Sequence, residues 1–393
     1  MKNKLRNLYH WLWAILSAVV NGHPSRKLFV IGITGTKGKS TTAELISAIL
    51  EEAGYRTALS STVRTKIANH SEPNLKKMSM PGRGWLQKFF RRALAASCTH
   101  AVVEMTSQGA PQFRHRGIDL DAFVFTNLAP EHLESHGSYE NYRAAKIELA
   151  RQLLRSRTAH PLLIINGDDP ESSHFAALGI ADTRTFHLTS APSYIAESSL
   201  VGDFNKYNIL AAGTLAEALG ISPETIARAV KKFTGVAGRM EEVTGAPFRI
   251  FVDYAHTPDS LEAVYKSFPG QRKICVLGGT GGGRDSWKRP VMGEIAERYC
   301  EQIFLTDEDP YDEDPEKIVR EVAAGITDQN KYQIIMDRRA AIAAALATAQ
   351  PNDVVLITGK GTDPFIMRAG CTKEPWNDKQ ITEEELAKID QSR

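Results

Sequence analysis

Short runs of β-branched and apolar residues alternate along this chain with longer stretches whose apolar positions recur every three or four residues. The runs "KLFVIGIT", "THAVVEM", "AFVFTN", "PLLIIN", "FRIFVDYA", "KICVLGG", "EQIFLT" and "DVVLITG" predict strands. Helical spacing in "STTAELISAILEEAG", "GWLQKFFRRALAAS", "YNILAAGTLAEALG", "RPVMGEIAERY" and "RAAIAAALATA" predicts helices between them. Such alternation predicts α/β domains with mainly parallel sheets. Near "KKFTGVAGRMEEV" (231–243) a helix-rich stretch gives way to a new strand–loop–helix series. The expected organisation is therefore an apolar helix and linker over 1–27, one α/β domain over 28–234 and a second, Rossmann-like, over 235–393.

The N-terminus follows a different pattern. "MKNKLR" precedes the thirteen-residue apolar run "LYHWLWAILSAVV", too short for a helix to span a bilayer, which takes roughly 20 residues. The following "NGHPSRKL" offers no small-x-small cleavage site. The expectation is an apolar helix that packs on the body or on a partner. Interfacial membrane contact is the alternative, suggested by Trp11, Trp13 and the flanking lysines.

Composition narrows the function classes. With 48 basic and 46 acidic residues, the net charge of +2 gives no bulk field for nucleic acid. The four cysteines, at 98, 275, 300 and 371, form no C-x-x-C pair. That argues against a zinc ribbon or a disulfide framework and predicts a cytoplasmic protein.

The chemistry begins at "FVIGITGTKGKSTTAELISAIL". A strand enters a loop with Gly35, Thr36, Lys37 and Gly38, and Lys39, Ser40 and Thr41 open a helix. Backbone N–H groups and the helix N-terminus would cradle a polyphosphate. Lys39 would reach the β- and γ-phosphates, and a hydroxyl of Ser40 or Thr41 would meet Mg²⁺. The match to G-x-x-x-x-G-K-[ST] is imperfect, because Ile33 stands at the first glycine position. Glu104, ending "AVVEM", is either a metal contact from a neighbouring strand or a strand-end surface charge. In "FTNLAPEHLESHGSYENYRAAKIELA", His132 and His136 are four apart, but Leu133 replaces the glutamate of H-E-x-x-H. Surface, hydrogen-bonding and metal roles all stand for them. "GGTGGGRD" is not G-x-G-x-x-G, since Arg284 takes the final position, so no dinucleotide cofactor is expected.

Taken together, "GITGTKGKSTT", "VVEMTSQG", "FTNLAPEHLESHGSYENYRAAK", "NGDDP", "GDFNKYNILAA", "GRMEEV", "VDYAHTPDSLE", "GGRDSWKRPVMGEIA" and "VVLITGKGTDP" resemble the Mur ligases. They look most like the branch that adds the third residue of the peptidoglycan stem peptide to a UDP-N-acetylmuramoyl dipeptide. The resemblance runs from about residue 28 to about residue 380. It implies a P-loop central ATPase domain, a Mur ligase C-terminal domain, and amide formation driven by ATP with Mg²⁺. A substrate carboxylate would take the γ-phosphate to give an acyl phosphate, and an amine would displace the phosphate. Carried over by motif, Lys39 neutralises charge during transfer, Ser40 and Glu104 hold one Mg²⁺, and His132 helps to hold a second. Lys146 matches a lysine that family members carbamylate, which would let it contact metal. Asn205 and Asn208 match asparagines near the adenine; Arg239, Asp253 and His256 match residues that close over the nucleotide.

Three departures concern the substrates. Those synthetases carry a separate N-terminal domain for the UDP-sugar, whereas 27 residues precede the first strand here, so the expectation is that this domain is lacking. The stretch between "NGDDP" and "GDFN" is short. Where enzymes for meso-diaminopimelate carry Asp-Asn-Pro-Arg, this chain reads "TDEDPYDEDP", with Tyr311 at the arginine position. Tyrosine cannot supply the bidentate charge an arginine offers a carboxylate. "GKGTD" replaces Gly-Lys-Gly-His-Glu. Asp309, Tyr311 and Asp363 are the candidate amino-acid contacts, and the acidic run 307–316 is either a solvated loop or a lure for lysine or ornithine. The resemblance implies a UDP-muramoyl peptide as the acceptor. The alternatives are another carboxylate, as in cyanophycin or folylpolyglutamate synthetases, and a non-catalytic nucleotide-binding scaffold.

Overall fold

The eight apolar runs become the inner strands of two sheets, because strands buried on both faces are apolar at nearly every position. In this computed structural model residues 2–76, 78–82, 84–131, 133–283 and 285–391 are described. The chain divides into one unit of residues 1–199 and 203–234 and another of residues 200–202 and 235–393.

In the first unit the strands are β1 (Phe29–Thr34), β2 (Thr57–Ser60), β3 (Arg64–Ile67), β4 (His70–Pro73), β5 (His100–Glu104), β6 (Ala122–Phe125), β7 (Leu162–Asn166) and β8 (Asp182–Phe186). They form one sheet in the order β4-β3-β2-β5-β1-β6-β7-β8. β2, β5, β1, β6, β7 and β8 are mutually parallel; β3 and β4 add an antiparallel hairpin at one edge. β1 lies at the centre, so the loop that follows it emerges between two flanking strand ends.

The helices of this unit are α1 (Lys2–Val20), α2 (Lys39–Glu52), α3 (Trp85–Ala95), α4 (Leu133–His136), α5 (Tyr139–Ala150), α6 (Ser172–Ala176), α7 (Asp203–Ala218) and α8 (Pro223–Lys232). α2 packs against α7 and α8 on one face of the sheet. On the other face Phe89, Phe90, Phe123, Phe125, Leu149 and Phe175 join the same buried cluster. Fully burying one such side chain is worth about 1.5–3 kcal/mol.

In the second unit β9 (Glu241–Val243), β10 (Arg249–Asp253), β11 (Lys273–Leu277), β12 (Gln302–Leu305), β13 (Tyr332–Ile334) and β14 (Val354–Thr358) form a sheet in the order β13-β12-β11-β14-β10-β9. Only β9 runs antiparallel to its neighbour. Its helices are α9 (Pro258–Lys266), α10 (Lys288–Tyr299), α11 (Pro315–Ala323), α12 (Arg338–Thr348) and α13 (Asp378–Gln391), and β15 (Phe365–Met367) with β16 (Lys373–Pro375) makes a small hairpin. No described helix is long and apolar enough to cross a membrane.

Candidate active site

In open α/β sheets, binding sites gather at the C-terminal ends of the parallel strands, where backbone groups are left for loops to satisfy. At the end of β1 the chain turns through Gly35 (φ 159°) and Gly38 (φ 80°) into α2. Neither position accepts a side chain: a Cβ at Gly35 would lie 1.9 Å from Thr126 Oγ1, and one at Gly38 would lie 2.2 Å from Asn208 Oδ1. The Lys37 amide donates to Asn127 Oδ1 (2.8 Å), and Asn127 Nδ2 and Thr126 Oγ1 donate back to the Lys37 carbonyl. The strand after β1 in the sheet thus fixes the loop from its side.

Two lysines converge on this loop. Lys39 Nζ donates to the carbonyls of Gly35 (3.0 Å) and Thr36 (2.8 Å). Lys146, reaching in from α5, donates to the same Gly35 carbonyl at 2.5 Å and lies 4.8 Å from the Tyr142 ring centroid. Lys146 is 2% exposed. Burial pushes its pKa well below the ordinary lysine value, and the nearby Lys39 ammonium adds to the shift. Lys37 pairs with Glu131 at 2.9 Å, and Tyr142 Oη meets Thr36 Oγ1 at 3.0 Å. Ser40 and Thr41, at the start of α2, are buried.

Glu104 ends β5, adjacent to β1, and is completely buried. Its carboxylate accepts from the Thr62 amide (2.9 Å) and the Thr62 hydroxyl (2.7 Å). His136 approaches Ser107 Oγ at 3.1 Å, and burial lowers its pKa. His132 lies outside the described residues. On α7, Asn208 Nδ2 donates to Asn205 Oδ1 (3.1 Å), and Thr42 Oγ1 donates to Asn208 Oδ1 (3.3 Å). The first unit therefore gathers residues 35–41, Lys146, Asn205 and Asn208 at one loop, with Glu104 ending the strand beside it. Beyond the end of β5 a cavity of about 490 Å³ is lined in part by Trp13, Lys76, Trp85, Gln87, Arg114 and Arg116. Gln87 Oε1 and Arg116 Nε are buried there without a hydrogen-bond partner among the described residues.

The second unit holds the other candidates. Asp253, ending β10, accepts from the amides of Met240 and Ala255, each at 2.7 Å. The Arg239 guanidinium lies 4.3 Å over the Tyr254 ring, and His256 Nδ1 meets the Tyr254 carbonyl oxygen at 2.7 Å. Lys360, 1% exposed, donates to Asp309 at 2.8 Å and lies 3.3 Å from Asp363. Asp307 pairs with Arg368. Tyr311 sits at φ 54°, its amide donating to the Met367 carbonyl at 3.0 Å. These groups form one cluster: a Cβ at Gly361 would lie 2.9 Å from Tyr254 Cβ, and one at Gly238 2.2 Å from the Thr362 amide nitrogen.

Sequence reasoning missed Thr62, Asn127, Glu131 and Lys360. Asn127, Glu131 and Lys360 stood inside quoted motifs, but a polar residue in a loop signals nothing until its partner is known. Among the described residues, no cluster of three or more His, Cys, Asp or Glu side chains could hold a metal.

Residues 33–188 match the Mur ligase middle domain, and residues 238–361 match the Mur ligase glutamate ligase domain. The chain is 38% identical to a UDP-N-acetylmuramoyl-L-alanyl-D-glutamate–2,6-diaminopimelate ligase of Geobacillus kaustophilus, over 90% of this chain and 78% of that one. It is 36% identical to a UDP-N-acetylmuramyl-tripeptide synthetase of Roseiflexus, over 96% and 82%. Among solved structures, a diaminopimelate ligase of the same description aligns at TM-score 0.63 with 28% identity, covering 92% of this chain and 79% of that one. Mycobacterium tuberculosis folylpolyglutamate synthase in complex with ADP aligns at TM-score 0.69 with 16% identity, over 89% and 91%, and shares the fold. On these matches the chain belongs to the Mur ligase family.

Proposed function

We propose that the chain is an ATP-dependent ligase that activates an acceptor carboxylate as an acyl phosphate and joins it to an amino acid. The acceptor is a UDP-N-acetylmuramoyl peptide. The observation that carries this reading is the convergence of Lys39 and buried Lys146 on the Gly35 carbonyl, within a loop whose glycines exclude any side chain. When two anions must approach each other, preorganised positive charge at the transferring phosphoryl group is the largest available catalytic term.

Each residue has a task in this reading. The backbone of residues 35–41 and the N-terminus of α2 hold the polyphosphate, with Lys39 on its terminal phosphates. Asn205 and Asn208 face the nucleotide from α7, and the family resemblance assigns Arg239, Asp253 and His256 to the nucleotide as well. The donor set fits Mg²⁺, which takes few protein oxygens and keeps phosphate and water ligands: the Ser40 hydroxyl and the buried Glu104 carboxylate would hold it. Bound there, the metal would neutralise charge as the phosphoryl group moves. A second ion would use His132. Burial lowers the Lys146 pKa and so raises the share of neutral amine, the form that attacks CO₂; N–C bond formation with loss of a proton leaves a carbamate anion in place of the cation.

The cavity beyond β5 suits an anionic acceptor, because Lys76, Arg114 and Arg116 line it together with the rings of Trp13 and Trp85. For the incoming amino acid we assign Asp309, Tyr311 and Asp363. Asp307 and Asp309 already hold Arg368 and Lys360, so the negative charge a diamino acid would meet is shared with two intramolecular cations. The test is phosphate release from ATP/Mg²⁺ with UDP-N-acetylmuramoyl-L-Ala-D-Glu and a panel of lysine, ornithine, diaminopimelate and neutral amino acids, with products read by mass. A tripeptide product is expected. Silence across the panel while ATP still binds would remove this acceptor.

A further inference from the structure

The first helix carries a surface that ligase chemistry does not use. α1 docks on its own unit through small side chains. Ser17 and Ala18 are buried, and each meets a glycine: a Cβ at Gly84 would lie 2.1 Å from Ser17 Oγ, and one at Gly117 would lie 2.8 Å from Ala18 Cβ. The large apolar side chains lie on the opposite side. At about 3.6 residues per turn, Leu5, Leu8, Leu12, Leu16 and Val19 fall on one stripe. All five are 51–61% exposed. A helix that served only to fill the body would turn this stripe inward and its small residues outward.

α1 and the segment that contains α3 are both basic in sequence. α1 contains no acidic residue and begins with Lys2, Lys4 and Arg6. Residues 1–28 and 74–100 together hold eleven of the 48 basic residues and none of the 46 acidic ones, so the rest of the chain is net acidic. The second of these segments contains α3, which packs against the turn Pro24–Lys27 that directly follows α1. Lys88, Arg91 and Arg92 are exposed on α3.

We propose that α1 is an interfacial helix that seats the protein on an anionic lipid bilayer, with its apolar stripe at the headgroup–acyl boundary and the surrounding lysines and arginines against the headgroups. Neither signal alone holds a protein to a membrane, but an apolar face and a basic patch together do. α1 lies in the plane of the surface, since it is not long and apolar enough to span. A second copy of the chain is a poorer occupant. A two-fold contact through this face would set α1 against α1, and neither copy carries an acidic residue there to pair with Arg6.

The proposal is independent of which carboxylate the ligase takes. Its test is co-sedimentation of the full chain with vesicles of phosphatidylcholine alone and of phosphatidylcholine mixed equally with phosphatidylglycerol. Binding to the mixed vesicles is expected to exceed binding to the neutral ones at least tenfold at low salt, and to fall as salt screens the headgroups. The double variant Leu12→Asp/Leu16→Asp should lose that binding with an unchanged melting temperature, since both side chains are exposed. Arg6→Glu should weaken binding only to the anionic vesicles. Negligible binding to both vesicle types would overturn the proposal. So would a concentration-dependent dimer, in vesicle-free solution, that the double variant abolishes.

Discussion

The loop after β1 and the loops after β12 and β14 both stand at the C-terminal ends of parallel strands, and both combine lysines with carboxylates. They differ in what their cations meet. After β1, Lys39 and Lys146 converge on a single backbone carbonyl, and burial drives Lys146 toward its neutral form. After β12 and β14, Lys360 lies between Asp309 and Asp363, and Arg368 answers Asp307. The first arrangement leaves Lys39 as the positive charge a polyphosphate would use. The second is a self-compensated ion-pair network, the kind that costs most when one partner is deleted. Mutations in the first region should therefore abolish turnover and spare folding, whereas mutations in the second should cost folding stability as well.

The largest expected effect comes from the β1 loop. Lys39→Ala should lower kcat about 100- to 1000-fold, the usual loss when one preorganised transition-state donor is removed, with little change in melting temperature. A variant within threefold of wild type would break the comparison. Lys146→Ala should be similarly inactive and partly rescued by short carboxylic acids standing in for the carbamate. ¹³C-bicarbonate should label the wild-type side chain and leave this variant unlabelled. Full activity of the unrescued variant would remove the carbamate from the account.

The second region predicts a stability effect. Lys360→Met should destabilise its unit by about 3–5 kcal/mol, because it leaves Asp309 buried without its cation; denaturant unfolding measures this. The smallest effect concerns Glu308. Burial raises its carboxyl pKa above the ordinary value, so its favourable contribution is complete below the unfolded-state pKa and is lost as pH rises through the folded-state value. Glu308→Gln should therefore gain stability relative to wild type as pH is raised from 4 toward 8. A constant difference across that range would contradict the burial argument.

How much could be read from sequence followed from where each residue's partners lie. The strands that built the sheet interiors, β1, β5, β6, β7, β10, β11, β12 and β14, were legible as unbroken apolar runs. β3 and β4 were not, because "RTKI" and "HSEP" form an edge hairpin and β4 is exposed throughout. β8 was missed for a similar reason, since the edge strand "DTRTF" is largely unburied. At the candidate site the same limit applied. The glycine–lysine–serine loop announces itself because its local geometry demands those residues in order. Glu104 reads equally as a surface charge until Thr62, 42 residues away in sequence, is seen to hold both its oxygens. Lys360 gave no signal, for its meaning lies in Asp309, which comes from a different strand end.

The central claim is that the β1 loop serves to make an acyl phosphate. The most direct measurement uses UDP-N-acetylmuramoyl-L-Ala-D-Glu labelled with ¹⁸O in the glutamate side-chain carboxylate. The acyl phosphate route transfers one labelled oxygen to inorganic phosphate for each amide formed, because the C–O bond breaks when the amine attacks. Amide product formed with unlabelled phosphate would contradict it.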